Sequence, residues 1–187
     1  MPSTNGNIVE AVEPGSPSDR AGIKPGDIIH SINRHRIHDS LDLMFYANEP
    51  LLKLTIERAG KRMKIEVERS LEEPLGLQLK PFKIKTCRNR CIFCFVSQLP
   101  KGLRRSLYIK DEDFRMSFLY GNYITLTNLT AADKKRIINQ RLSPLYISVH
   151  STNREIRNKL LGNKNASDII KELSWLAKNR IRFHTQI

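Results

Sequence analysis

Every cysteine in this 187-residue chain lies within eight consecutive positions: Cys87, Cys91 and Cys94, in the run KTCRNRCIFCFVSQLPKGLRR over 85–105. An odd number of thiols, all local to one another, argues against a disulfide-stapled scaffold. The fold must therefore be held by a buried apolar core. The C-x3-C-x2-C spacing also narrows the chemistry. Structural zinc asks for four ligands, typically in two pairs, and a fourth would have to come from the distant His150 or His184. Three close thiolates suit a [4Fe–4S] cluster with one iron not ligated by cysteine. Such an open iron is a reaction site. On the residues alone, both metals stay open.

Apolar residues make up 40% of the chain and charged residues 27%, the composition of a soluble globular protein. No apolar run approaches the ~18 residues a membrane span needs. The start, MPSTNGN, has neither a basic nor an apolar leader segment, so the expected location is the cytoplasm. The net charge of +13 is uneven. Residues 1–80 carry 11 Lys/Arg against 12 Asp/Glu, and residues 81–187 carry 21 against 7. That asymmetry predicts two units with different partners. The basic half suits an anionic partner, nucleic acid included, but no long basic block or nucleic-acid motif accompanies it, and a solvated surface is the favoured reading.

The first half is dense in turn signals. Ser16-Pro17-Ser18-Asp19 offers a helix start and Gly22 its stop; Pro25-Gly26-Asp27 is a tight turn; Ile28, Ile29 and Ile32 make a strand. Asp39 caps a second helix whose apolar face is expected at Leu41, Met44 and Phe45. In 51–69, Leu52, Leu54 and Ile56, then Met63, Ile65 and Val67, alternate with polar residues around Ala59-Gly60, which predicts a hairpin. The order GSPSDRAGIKPGDII then SIN resembles a bacterial PDZ domain over roughly 7–80. The resemblance implies that a protein C-terminus adds as a strand to a sheet edge. PLGLQL (74–79) would supply the carboxylate loop, with Gly76 and Leu77 as peptide-binding residues. A PDZ-like domain that binds no peptide is the competing reading.

The cysteine array, with Phe93 just before its last thiol, resembles the signature of radical SAM enzymes. The wider stretch CRNRCIFCFVSQLPKGLRRSLYIKDEDFRMSFLYGNYITLTNLT (87–130), preceded by a PDZ-like domain, is similar to an uncharacterised group of bacterial Fe–S oxidoreductases of that superfamily. The resemblance implies that Cys87, Cys91 and Cys94 hold a [4Fe–4S] cluster with Phe93 against it. It implies that the open iron binds S-adenosyl-L-methionine, which is cleaved to a 5′-deoxyadenosyl radical. An external electron donor of flavodoxin or ferredoxin type is implied as well. It does not supply the substrate.

The resemblance sets the expected fold class: α/β and β-rich, two domains, with a PDZ-like domain (1–80) followed by the first part of a partial (β/α) barrel (81–187). Strands are expected at 82–86, 122–127, 145–150 and 181–187, and helices at 130–140, 151–162 and 166–180, the last with Ile169, Ile170, Leu173 and Leu176 on one face. Barrel sites gather at the C-terminal ends of strands. That places Thr127, Asn128, His150 and Ser151 as candidates, His150 for proton transfer or a nucleoside contact and Ser151 as a helix cap. Gln98, Lys101, Arg104 and Arg105 follow the cysteines, and Arg104 is a candidate for a carboxylate. KDEDFR (110–115) is an acidic island in a basic region, expected to pair internally with its neighbours. Where the superfamily has a Gly-Gly-Glu-like motif, this chain reads LTNLT. With about four strands against the family's six, the sequence is expected to carry the N-terminal part of the barrel, and lowered or absent turnover is expected. Alternative readings are a peptide-binding module with an inactive catalytic half and an RNA-modifying enzyme.

Overall fold

A computed structural model describes residues 5–187. The chain divides into two compact units, one ending at Lys83 and the other running from Ile84 to Ile187.

The first unit contains β1 (Val9–Val12), α1 (Pro17–Arg20), β2 (Ile28–Ile32), β3 (His35–Arg36), α2 (Ser40–Tyr46), β4 (Leu51–Arg58), β5 (Lys61–Glu68) and β6 (Leu77–Leu79). The antiparallel sheet has the order β3-β2-β4-β5, and β6 pairs separately with β1. The hairpin is in the register its alternation demands. Leu52 faces Val67, Leu54 faces Ile65, and Ile56 faces Met63, which puts these side chains on one face. Ala59 and Gly60 both take positive φ, 49° and 78°, the two-residue turn whose twist matches the strands. Leu52, Leu54 and Ile56 join Val9, Ile29 and Ile32 in the core. Each such aliphatic contributes roughly 1.5–3 kcal/mol when fully buried.

The caps are local and polar. Ser16 Oγ accepts from the Asp19 amide, and Asp39 accepts from the amides of Leu41 and Asp42. Buried Asp27 accepts two 2.7 Å bonds from the Arg58 guanidinium and one from the Lys24 amide. The expected apolar face of α2 is corrected. Leu41 and Leu43 are buried, whereas Met44 and Phe45 are 61% and 41% exposed.

The second unit contains α3 (Phe95–Gln98), a short 3-10 turn (Arg105–Tyr108), α4 (Phe114–Tyr120), α5 (Ala131–Asn139), β7 (Leu145–Ser148), α6 (Arg154–Leu161), α7 (Ile169–Lys178) and β8 (Phe183–Gln186). β7 and β8 are parallel, and Ile124 makes a parallel bridge to the other edge of β7 at Ile147. Helices intervene between successive passes, which is the α/β pattern. Thr130 and Asp133 form a reciprocal capping box on α5; Asn153 and Asp168 cap α6 and α7; Gly162 ends α6 in the left-handed region.

Two expected strands are much reduced. Residues 82–86 contribute one antiparallel bridge, Thr86 to Asp111, because the Lys85 amide goes to the Asp113 carboxylate. Residues 122–127 contribute the single bridge at Ile124, because the Thr125 and Thr127 amides go to the Glu112 carboxylate. On α7, Ile169 and Leu176 are buried, but Ile170, expected on the same buried face, is 47% exposed.

The acidic island pairs internally as expected, Asp113 with Arg115. Glu112 and Asp113 are buried. Asp113 caps α4 and pairs with Arg115, and Glu112 holds the chain after Ile124. The side chain of Arg157, 1% exposed, donates to the carbonyls of Thr125, Val149 and Ser167. It thereby ties together the ends of two parallel passes and the approach to α7.

Candidate functional site

The cysteine loop is built on backbone contacts. The Cys87 amide donates to the Lys110 carbonyl at 2.7 Å. The amides of Arg90 and Ile92 donate to the carbonyls of Leu161 and Leu160 at 2.9 and 3.1 Å. These are two of the last carbonyls of α6, which have no partner inside the helix. The loop therefore acts as part of that helix's C-terminal cap. Cys94 begins α3, its carbonyl accepting from the Ser97 amide.

All three thiols are free and half-buried. Burial pushes Cys87 up to about 11, and the neighbouring Glu112, Cys91 and Cys94 add to the rise. Burial and Cys94 raise Cys91 as well. Cys94 behaves oppositely. Burial works against its thiolate, but the Ser97 hydroxyl and amide, with the Lys110 ammonium, outweigh it and lower the thiol. Among the described residues no three His, Cys, Asp or Glu side chains converge where one metal ion would sit. A cuboidal cluster differs from a lone ion in that each thiolate meets its own iron, so its ligands need not converge on one point. Three free, half-buried thiols on one loop are the donor set such a cluster takes.

His150 stands at the end of β7 with φ of 62°, unusual for a residue other than glycine. The Ser151 amide reaches back to the Val149 carbonyl at 2.8 Å, closing a three-residue turn around it. The His150 ring lies 4.5 Å from the Phe93 ring, centroid to centroid, and tilted by 50°. Burial, and then the charge of Arg157, lower its pKa, favouring the neutral imidazole.

Thr127 Oγ1 is bonded to Thr125 Oγ1 at 2.9 Å and to the Asn89 side chain. Glu112, which receives the Thr125 amide at 2.8 Å, is raised by burial despite those amide bonds. Asn128 is half-buried; Gln98, Lys101, Arg104 and Arg105 are exposed, and among the described residues none of these five makes an ion pair or side-chain hydrogen bond. Ser151 Oγ accepts from the Asn153 amide just before α6. Of the sequence candidates, the structure places Cys87, Cys91 and Cys94 on one half-buried loop, and Phe93 against His150. It links Thr127 to the cysteine loop. Asn89, Glu112 and Arg157 are additions. Asn89 sits inside the cysteine spacing, but nothing in its sequence context marks it as buried.

The first unit carries a groove of about 610 Å³ between α2 and β6. Leu43, Met44 and Ala47 line one wall, and Leu75, Gly76 and Leu77 the other. The carbonyls of Leu75 and Gly76 accept from the Ser18 and Glu13 amides. The amides of Leu75 and Gly76 donate to no acceptor among the described residues. Gly76 has φ of 69°, and an added Cβ would lie 2.2 Å from Ser16 Cβ. Arg69 also lines the groove; its outer nitrogens bond the carbonyls of Glu73 and Ala47, and its buried Nε has no partner.

Comparison with known proteins places both units. The family model of the radical SAM-like domain matches residues 69–187, and that of the PDZ domain matches residues 8–69. The chain belongs to the radical SAM-like domain family and carries an N-terminal PDZ domain. Residues 70–79 fall outside the PDZ match, yet β6 within them completes the first unit by pairing with β1. Among curated relatives, Arabidopsis thaliana "protease Do-like 14" is 37% identical over 76 residues. That match covers 41% of this chain and 14% of the relative's length. Among solved structures, the HtrA3 PDZ domain bound to a phage-derived ligand (FGRWV) is 34% identical, covering 33% of this chain and 56% of that one, with a TM-score of 0.31. The PDZ domain of an SdrC-like protein from Listeria monocytogenes is 15% identical, covering 42% and 92%, with a TM-score of 0.35. Among the described residues no helix is long and apolar enough to cross a membrane.

Proposed function

We propose that this chain is the cofactor-binding part of a radical SAM enzyme, in which Cys87, Cys91 and Cys94 hold a [4Fe–4S] cluster. The observation that carries this reading is the placement of the thiols: three free, half-buried sulfurs on one loop, close enough that Cys91 and Cys94 raise Cys87 and Cys94 raises Cys91. When bound, the cluster supplies an electron from an external donor to S-adenosyl-L-methionine, whose carbon–sulfur bond then breaks. The chain's own residues have separate tasks. Phe93 and His150 offer a ring pair beside the loop, suited to the flat face of a nucleoside. His150, neutral at physiological pH, both donates and accepts a hydrogen bond. Thr127, Asn128 and Arg104 are the positions available to a methionyl amino or carboxylate group. Oxygen-sensitive chemistry of this kind suits the cytoplasm.

The experiment is anaerobic reconstitution with iron and sulfide, reduction, addition of S-adenosylmethionine, and chromatography for 5′-deoxyadenosine. Iron binding that survives replacement of all three cysteines by alanine would defeat the proposal. So would tetrahedral zinc in the purified protein with no capacity for iron.

A second activity is favoured by the groove. The unused amides of Leu75 and Gly76 beside an apolar trough suit a free C-terminal carboxylate followed by apolar side chains. The PDZ domain is proposed to recruit the protein on which the second unit acts. Fluorescence anisotropy with matched peptides tests this: a free-acid terminus binds and its amidated twin does not. Equal binding of the two would reject a carboxylate site.

A further inference from the structure

Between the first two cysteines lies a residue whose side chain is almost wholly enclosed. Asn89 is 4% exposed, while its neighbours Arg88 and Arg90 are exposed. A buried primary amide is costly unless its hydrogen-bonding groups are met. Here both ends are engaged. Nδ2 donates to Thr125 Oγ1 at 2.9 Å and to Thr127 Oγ1 at 3.1 Å. Oδ1 accepts from Asn163 Nδ2 at 2.8 Å and from Thr127 Oγ1 at 3.3 Å. Each partner is itself fixed. The Thr125 and Thr127 amides are held by buried Glu112, and Leu126 between them has φ of 59°. Asn163 follows Gly162, and its amide bonds the Asn158 carbonyl in the cap of α6. The Asn89 side chain thus joins three pieces of chain that are far apart in sequence. These are the cysteine loop, the end of the first parallel pass, and the turn after α6.

We propose that Asn89 is a positioning residue for the cysteine loop. It fixes the loop's first half against residues 125–127, while the Arg90 and Ile92 amides fix its second half to α6. The metal-free protein then already presents Cys87 and Cys91 in their working places. The inference deepens the cluster-binding reading and rests on it for its purpose, but its geometry is testable with no cluster present. Thr127 belongs to the same device, since its hydroxyl serves both atoms of the Asn89 amide.

The test uses the full chain in its metal-free, reduced state. Thiol labelling at Cys87, Cys91 and Cys94 is timed with a chromogenic disulfide, and amide exchange is followed at Arg90, Ile92 and the core residue Ile147. Asn89→Ala is expected to label at Cys87 and Cys91 about tenfold faster, as follows from losing a buried hydrogen-bonding network. Exchange at Arg90 and Ile92 is expected to accelerate, with Ile147 unchanged. Thr127→Val, a milder change that keeps the side chain's volume, is expected to show the same selective effect. Thr127→Ser, which keeps the hydroxyl, is expected to restore slow labelling. Labelling and exchange within twofold of the parent in both Asn89→Ala and Thr127→Val would overturn the proposal. So would uniform acceleration at Ile147 in the Thr127 pair, the mark of a merely structural role. Iron and sulfide content after reconstitution is read separately. A parent protein that takes up no iron sinks the cluster reading, while the labelling result decides the role of Asn89.

Discussion

Gly162→Ala offers the sharpest test of how the cysteine loop is held. Gly162 ends α6 with φ of 55° and ψ of 35°, and an alanine Cβ there would lie 2.3 Å from the Arg90 carbonyl oxygen. That neighbour is backbone, so no side-chain rotation relieves the contact. Two costs add. The left-handed conformation costs about 1 kcal/mol for a residue with a Cβ, after allowing for the lower unfolded-state entropy of alanine. Moving the loop away breaks the Arg90 and Ile92 amide bonds to Leu161 and Leu160, at about 1 kcal/mol each. The sum is about 3 kcal/mol. Gly121→Ala isolates the first cost. Gly121 ends α4 with φ of 74°, and its added Cβ meets only the Tyr146 ring at 3.5 Å, an ordinary contact. Urea unfolding should therefore give about 1 kcal/mol for Gly121→Ala and about 3 for Gly162→Ala. Thiol labelling should rise only in the latter. Equal losses in the two variants would show that the loop does not press on the α6 terminus.

Three further outcomes follow from other sites. Burial alone would raise the Asp27 carboxyl, but the Arg58 fork and the Lys24 amide hold it below its ordinary value. A lowered native pKa stabilises above the unfolded value and is lost as pH falls through the native one, so the first unit should weaken below about pH 4. Arg58→Met should cost about 2 kcal/mol near neutral pH and flatten that acid dependence in denaturant titrations. His150→Gly removes the ring while relieving the positive φ, so the unfolding free energy should stay within about 1 kcal/mol of the parent while 5′-deoxyadenosine formation falls. A loss well above that would place His150 in the core instead. Because metal-free Cys87 sits near 11 and ligation needs the thiolate, iron loading should release protons and improve from pH 7 to 9; loading that is flat across this range would contradict the raised thiol.

Much of the first unit was legible because its signals are local. Ser16, Asp39, Ala59-Gly60 and the alternating leucines each determine their own few residues, and the structure uses all of them. The helices over 130–140, 151–162 and 166–180 in the second unit were legible for the same reason. The failures share one physical cause. NYITLT has a strand's pattern, but its Thr125 and Thr127 amides are taken by the buried Glu112 carboxylate, a side-chain partner from the preceding segment that periodicity does not show. In KDEDFR the internal pairing of Asp113 with Arg115 was legible, but nothing local shows that Glu112 and Asp113 lie inside. The signals for α4 were present in Asp113 and Gly121, its cap and stop. On α2, Met44 is exposed because it forms a wall of the groove, so helical spacing identified an apolar residue but not what it faces. The three cysteines were legible as one local cluster in the sequence; Asn89, whose buried amide bonds Thr125, Thr127 and Asn163, was not.

The pairing of β1 with β6 has a consequence for how the first unit is made. Val9 also bonds Gly26 and Asp27 just before β2, but Ala11 and Val12 pair with Gln78 and Leu77, so during synthesis that end of the opening strand must wait until the final strand has left the ribosome. The trough beside β6 is therefore the last part of that unit to exist, and a nascent chain cannot capture a ligand there before its own first unit has closed.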